Sequence, residues 1–308
     1  MASTATATAA EARIVKLNVA SQRRLIEPDN DVPGAVAPGQ ILPDELLSVA
    51  GLGLDLTPEQ RATLSREEVA SIVEAGIRFE AVLEAGFAMQ IAQERSLVAP
   101  HVTYLLHEVG EETRHQRIFI RLLEQLTPKA VNPIARQPFL TLQRLGIGQI
   151  IKRPALLYTL VLGGEEIPDL LQKLAAEHPD TDPFLREVNK YHRQEEARHL
   201  SFARTVLPEH YAKASFTDRF AVKYVAPLVI KGMFDMLVHP GVYAAVGLPK
   251  WKTWKEANRN PKRVAVRHQA IRPIVAALVA AGALKPGRIP GGWCRLAGVD
   301  KHGAALTP

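Results

Sequence analysis

The chain has 308 residues, 47% hydrophobic and 23% charged, enough to bury a sizeable core and too apolar for an intrinsically disordered chain. Its single cysteine, Cys294, excludes an internal disulfide framework and a cysteine-cluster zinc site, and suits a reducing, cytoplasmic setting. The formal charge of +6 gathers toward the C-terminus with no nucleic-acid-binding motif beside it, and no apolar run reaches bilayer-spanning length, so neither nucleic acid nor a membrane span is expected.

Residues 1–25 are rich in Ala, Ser and Thr and superficially resemble a transit peptide, but they lack a clear cleavage signal and read as a frayed arm. Pro28, Pro33, Pro38, Pro43 and Pro58 mark an extended lead-in, so 1–56 is expected to be irregular. Both Thr57-Pro58-Glu59-Gln60 and Ser65-Arg66-Glu67-Glu68 look like helix N-termini, the second a capping box. Val73, Ile77, Leu83, Phe87 and Ile91 then recur at helical spacing. A second helix follows Pro100 and covers roughly 101–126. The stretch 127–154, with Pro128, Pro133, Pro138 and Pro154, reads as a long, partly irregular connection. A third helix is expected over 155–177, a turn over 178–183, and a fourth helix over 183–206. One or two more helices fit 216–248, and 249–308 is a basic extension packed on or trailing from the bundle, its cations a solvated face. Strand alternation is nowhere sustained, so the fold class is all-α, a helical bundle over 57–248 with extra C-terminal helices.

The most informative feature is a repeat. Glu111-Glu112-Thr113-Arg114-His115 recurs 84 residues later as Glu195-Glu196-Ala197-Arg198-His199, and the same offset relates Glu108 to His192. At 100° per residue, positions i, i+4 and i+7 share a narrow sector of a helix. Glu108, Glu112 and His115 therefore share one face, as do His192, Glu196 and His199, and Leu105, Phe119 and Leu122 continue the first stripe while Leu185, Val188, Phe202 and Val206 continue the second. Carboxylates on a core-facing stripe cost several kcal/mol each unless paired, and a pair of divalent cations would compensate them. From 22 Glu and 10 His, chance supplies about 0.7 Glu-x2-His per chain, so one copy means nothing, but adding His192 lowers the expectation to about 0.02.

Di-metal carboxylate bundles add one Glu from each of two further helices. Glu165 lies 31 residues before Glu196, and Glu80 lies 32 before Glu112, which fits two pseudo-symmetric helix hairpins. Spacing favours Glu80 over Glu84, and Glu165 is preferred to Glu166. Glu111 and Glu195 sit one residue off the ligand face and read as surface partners of Arg114 and Arg198, or as groups that orient a ligand histidine. Glu108 is left outside the ligand set. Tyr104 and Tyr191 read as packing residues, and His101 and His107 as histidines on other faces.

In that order, Glu80, Glu112-x2-His115, Glu165 and His192-x3-Glu196-x2-His199 resemble the para-aminobenzoate N-oxygenase (AurF-like) family of ferritin-like di-iron oxygenases. Ribonucleotide reductase small subunits, acyl desaturases and multicomponent monooxygenases generally lack the third histidine, here His192. The resemblance covers roughly residues 60–210. It implies a ferritin-like bundle whose four-helix core holds two irons, or manganese, on Glu80, Glu112, His115, Glu165, His192, Glu196 and His199. It further implies dioxygen as co-substrate, a peroxo-type oxidant, an external electron donor, a small amine such as an arylamine as substrate, and a possible homodimer. A non-catalytic ferritin-like iron-binding protein and a di-iron hydroxylase acting on carbon are the alternatives.

Overall fold

The computed structural model describes residues 8–23, 25–135 and 139–306, with the backbone alone for 139–144. The start of the arm (1–7) and Pro138 of the connection lie outside the described residues. Helices α1 (Ala9–Arg23) and α2 (Pro28–Asp31) precede a 3-10 turn at Asp44–Leu46. Four long helices follow: α3 (Pro58–Gln93), α4 (Pro100–Leu126), α6 (Pro154–Glu177) and α7 (Pro183–Lys213), with α5 (Phe139–Ile150) between α4 and α6. The remainder is α8 (Phe216–Phe220), a π-helical turn at Ala221–Val225, α9 (Ala226–Met236), α10 (Pro240–Ala245), α11 (Lys250–Arg259), α12 (Pro261–Ala280) and α13 (Gly291–Ala297). Among the described residues the only β pairing is an isolated bridge between Val299 and Ala305.

Proline writes much of this segmentation. Pro58, Pro100, Pro154 and Pro183 each occupy the first turn of a long helix, where the missing N–H has no helical partner to lose. Asp182 caps α7 by accepting from the Leu185 N–H at 3.0 Å. At α3 the cap is Thr57, whose hydroxyl accepts from the Gln60 N–H (3.2 Å) while the Gln60 side chain accepts from the Thr57 N–H (3.0 Å). The rival start at Ser65 lies inside α3; its hydroxyl donates to the Ala62 carbonyl and accepts from the Ile41 N–H, so it serves the lead-in instead. Pro208 is accommodated within α7, which runs to Lys213 rather than stopping near 206.

α3 pairs with α4 and α6 with α7, as two hairpins joined where α4 meets α7. Two hydrophobic clusters fill the ends of this bundle. One takes Leu83 and Phe87 of α3, Tyr104 and Leu105 of α4, Leu156–Leu162 of α6, and Leu200 and Phe202 of α7. The other takes Leu64 to Val73 of α3, Ile118 to Leu122 of α4, and Leu185 to Tyr191 of α7. The polar stripes of the four helices lie between them.

The expectation of a frayed arm does not hold for 9–23. α1 lies across α4 and α7 and buries Ile14, Leu17, Asn18 and Ser21, with the Asn18 amide donating to the Pro100 carbonyl at 2.9 Å. The irregular lead-in buries Ile41, Leu42, Leu47 and Val49 in the second cluster. Part of the connection over 127–154 is the helix α5. The basic extension packs rather than trails: α12 buries Ile271, Ile274 and Leu278 beside α6, and Trp293 of α13 is enclosed with its indole N–H on the Val222 carbonyl.

Candidate metal centre

Glu80 (α3), Glu112 and His115 (α4), Glu165 (α6), and His192, Glu196 and His199 (α7) are all buried and converge in the layer between the two clusters. Helical periodicity explains the convergence, because the apolar residues before and after each polar group anchor its stripe toward the bundle axis. Glu112 and Glu196 straddle two imidazoles. Glu112 places one oxygen 3.3 Å from His115 Nδ1 and the other 3.3 Å from His199 Nδ1. Glu196 places its two oxygens 3.2 Å from the same two nitrogens. His192 presents the other ring nitrogen: its Nε2 lies 3.3 Å from Glu80 and 3.5 Å from Glu196.

Potential ligand atoms group within 4.8 Å as Glu80, His115 and His192; as Glu112, His115 and Glu196; and as Glu108, Glu112 and His199. Glu165 falls outside these three sets but lies against Glu196 and Glu112, whose charges act on it. The rivals point elsewhere. Glu84 is half-buried and accepts from the Gln116 amide at 3.0 Å, and Glu166 pairs with Arg204.

Glu111 and Glu195 are not surface groups; both are buried and both brace histidines, crosswise. Glu195 of α7 lies 3.1 Å from Nε2 of His115 in α4, and Glu111 of α4 lies 2.8 Å from Nε2 of His199 in α7. The arginines cross in the same way: Arg114 reaches Glu195 at 3.2 Å and Arg198 reaches Glu111 at 2.9 Å. Tyr191 donates to Glu195 (3.1 Å), and Arg198 donates to Ser21 of α1 (3.1 Å), so the N-terminal helix closes the network from outside. The sequence leaves the orienting of a histidine open as the second of two readings but does not show the crossing, because a residue one step off the stripe turns toward the neighbouring helix, and the α4–α7 adjacency is tertiary information.

Sequence reasoning also passed over Gln172, whose Oε1 lies 2.9 Å from His192 Nδ1 and fixes the tautomer that leaves Nε2 facing the layer. The signal was present: Gln172 is seven residues after Glu165, on the same face of α6.

The electrostatics are those of a crowded, dry cluster. Burial, reinforced by Glu112 and Glu196, pushes the Glu80 and Glu165 carboxyls well above their ordinary range. The neighbouring carboxylates overcome burial at His115 and His199 and hold both imidazoles well above theirs. His192 goes the other way, to about 3, through burial and its proximity to the imidazolium of His115. At Glu111 burial is the largest single influence, but His199 and Arg198 together, through hydrogen bonds and charge, outweigh it and bring the carboxyl to about 2. Within the layer, one oxygen each of Glu80, Glu112, Glu165 and Glu196, and both oxygens of Glu108, have no hydrogen-bond donor. Buried carboxylate oxygens without donors are costly, and cations are what such a set fits. Carboxylate and imidazole donors without sulfur suit iron and manganese.

A cavity of about 310 Å³ opens onto one side of the layer. Glu80, Glu165 and His192 line its polar end at the layer; Ile72, Phe79, Phe119, Leu171 and Met233 contribute to apolar walls, and Glu68, Lys262 and Arg263 also line it. Gly163 and Gly164, just before Glu165, shape it: a Cβ on Gly164 would fall 1.8 Å from the Phe79 ring, and one on Gly163 would fall 2.7 Å from Ile230.

The chain matches the sequence profile of the p-aminobenzoate N-oxygenase AurF family over residues 7–282. It is 27% identical over 184 residues to uncharacterized proteins of Mycobacterium bovis and Mycobacterium tuberculosis, an alignment that covers 59% of this chain and 53% of each relative. The chain thus spans about half the length of these curated relatives. With the match running through nearly the whole sequence, and paired helix hairpins carrying the two Glu-x2-His motifs at their centre, the chain belongs to the p-aminobenzoate N-oxygenase AurF family of ferritin-like helical oxygenases.

Proposed function

We propose that this protein is a di-iron oxygenase that uses dioxygen to oxidise the nitrogen of a small amine, an arylamine or a molecule of similar shape. The observation that carries the reading is the layer itself: acidic and imidazole groups from four helices, dry and short of donors, beside an apolar cavity that ends on three of them. The seven residues that would hold the ions are Glu80, Glu112, His115, Glu165, His192, Glu196 and His199, with Glu112 and Glu196 lying between the His115 and His199 imidazoles. Bound there, two irons would supply dioxygen activation, and an external donor the electrons that balance it: amine, dioxygen, two electrons and two protons give a hydroxylamine and water.

The protein's own tasks follow from its geometry. Glu195, Glu111 and Gln172 hold the three imidazoles in the tautomers that present Nδ1, Nδ1 and Nε2 to the layer. The apolar walls desolvate the substrate body and keep water from the oxidant. Phe79, seated over Gly164, limits the width of the cavity next to Glu165 and so the shape of amine that reaches the polar end.

The test is anaerobic iron loading, then exposure to dioxygen with a panel of arylamines and alkylamines and with amine-free hydrocarbons of the same shape. The reading expects two irons per chain and amine-dependent oxygen uptake with a hydroxylamine or further N-oxidised product. Less than one metal ion per chain overturns the metal centre. Two irons without turnover leave an iron-binding protein, and oxidation of the hydrocarbons instead makes it a carbon hydroxylase. His192→Ala is expected to lose activity, because it removes an imidazole at the wall of the cavity.

A further inference from the structure

One member of the polar layer has no part in the seven-residue set. Glu108 is 0% exposed, and among the described residues it is the carboxylate with both oxygens buried and neither given a donor. Two acids buried elsewhere, Glu68 and Glu67, are provided for. Glu68 accepts from the Ser48 N–H and hydroxyl, and Glu67 accepts from the Lys129 and Ala130 N–H groups. Tyr104 is one turn before Glu108 in α4, and its hydroxyl is also without a partner, so it does not supply the missing donor. His199 is already engaged on both nitrogens, by Glu111 on one side and by Glu196 on the other.

The repeat says what Glu108 faces. Exchanging the two halves turns Glu80 into Glu165, His115 into His199, and His192 into Glu108. Glu80, His115 and His192 form one compact set of donor atoms, and Glu108 lies within 4.8 Å of the donor atoms of Glu112 and His199 on the opposite side of the layer. A leucine here would have filled the space at no electrostatic cost, so an acid with two bare oxygens needs a cation nearby. We propose that Glu108 is an eighth protein ligand, bound to the metal ion on the His199 side. This rests on the two-metal reading above.

The consequence is an unequal pair of sites. One ion would have Glu80 and two imidazoles; the other would have Glu108, Glu165 and one imidazole; Glu112 and Glu196 lie between them. The second pocket carries one more negative charge and one fewer nitrogen, which makes it the harder site.

The experiment is an anaerobic Fe(II) titration against a competing chelator, with Mössbauer spectra of the 57Fe-loaded protein, on wild type, Glu108→Gln, Glu108→Leu and Glu108→His. Wild type should bind two irons with two distinct quadrupole doublets. In Glu108→Gln and Glu108→Leu one iron should keep its affinity and doublet, while the other binds at least tenfold more weakly with an altered doublet. Glu108→His, which copies the other repeat and can still ligate, should recover two tightly held irons. Unchanged affinity and unchanged doublets in the Gln and Leu variants would overturn the proposal, as would a His variant no better than Gln. Circular dichroism of the metal-free variants guards against misfolding, and the near-isosteric Gln and the apolar Leu both preserve packing. If wild type itself holds fewer than two irons, it is the di-iron reading that fails.

Discussion

Replacing Glu111 by alanine should weaken the metal ion that touches His199, a residue on a different helix, rather than the one beside His115, which shares its own helix. Glu111 makes two contacts: 2.8 Å to His199 Nε2 and 2.9 Å to Arg198. The first fixes the ring so that Nδ1 faces the layer. Second-sphere partners of this kind are worth about 10- to 100-fold in metal affinity, roughly 1.4–2.7 kcal/mol. A hydrogen bond to a charged group, at about 1.5–3 kcal/mol, gives the same range independently. Arg198 would not be left wholly unpaired, since Glu195 stands 3.4 Å away, so the cost should not exceed that range. Glu111→Gln keeps an acceptor for the Nε2–H but loses the charge, and should fall in the lower part of it. Glu195→Ala should do the converse and weaken the His115 side. Because Arg198 contacts both acids and keeps one of them in each single variant, the double variant, which leaves this buried guanidinium with neither, should lose more than the sum. The assay is chelator competition with Mössbauer assignment of the weakened site. If Glu111→Ala leaves both affinities intact, or perturbs the site on its own helix, the crossed bracing is wrong.

Three further outcomes follow from packing and burial. Gly164→Ala should lower Tm by several degrees and shrink the cavity, because the new Cβ would sit 1.8 Å from Phe79; overpacking of this sort costs about 1–3 kcal/mol, and Phe79→Leu should restore most of the loss. Glu68 is buried and its carboxyl is pushed up to about 6, so it is a group whose contribution is present below its unfolded pKa and lost as pH rises through the folded one. Relative to Glu68→Gln, wild type should therefore lose on the order of 2 kcal/mol between pH 4.5 and 7.5, read as the difference between two denaturation series, and a flat difference would show that Glu68 is not desolvated. Removing residues 1–23 uncovers the partners of Ile14 and Leu17; at about 1.5–3 kcal/mol for each buried side chain, denaturation should register a loss of a few kcal/mol, with faster amide exchange in the turns of α4 and α7 beneath α1.

The four long helices were legible because each begins at a proline and carries a stripe at 3.6-residue period, both of which are local properties. The repeat Glu112-x2-His115 and Glu196-x2-His199 was legible for the same reason. Glu80 was separated from Glu84 by hairpin arithmetic, and the structure places Glu80 in the layer and Glu84 on Gln116. What local reasoning could not supply was which helix faces which. Glu111 and Glu195 look like surface acids until α4 and α7 are set side by side, when each becomes the brace of the other helix's histidine. α1 escaped for a different reason. It is buried by contact with α4 and α7, partners 82 to 188 residues away as in Asn18 on Pro100 and Arg13 on Ser201, so its order is tertiary rather than intrinsic.

The placement of the layer also decides what the metal is not needed for. Apolar side chains above and below it, from every long helix, meet in two continuous clusters, and neither cluster contains any of the proposed ligand residues. The cost of the dry carboxyls is confined to the turns between them, where protons on Glu80 and Glu165 can neutralise part of the charge when no cation does. Folding and metal binding should therefore be separable, unlike a small domain whose only core is its metal site. Iron-free protein should keep its helical content and a cooperative thermal transition, with amide exchange accelerated only around Glu80, Glu112, Glu165 and Glu196. Addition of iron should slow exchange in those turns and raise Tm, the mass-action term for a tight ligand adding about 2.7 kcal/mol of stability at a hundredfold excess over Kd. Global unfolding on chelation would show instead that the two clusters cannot stand without the ions between them.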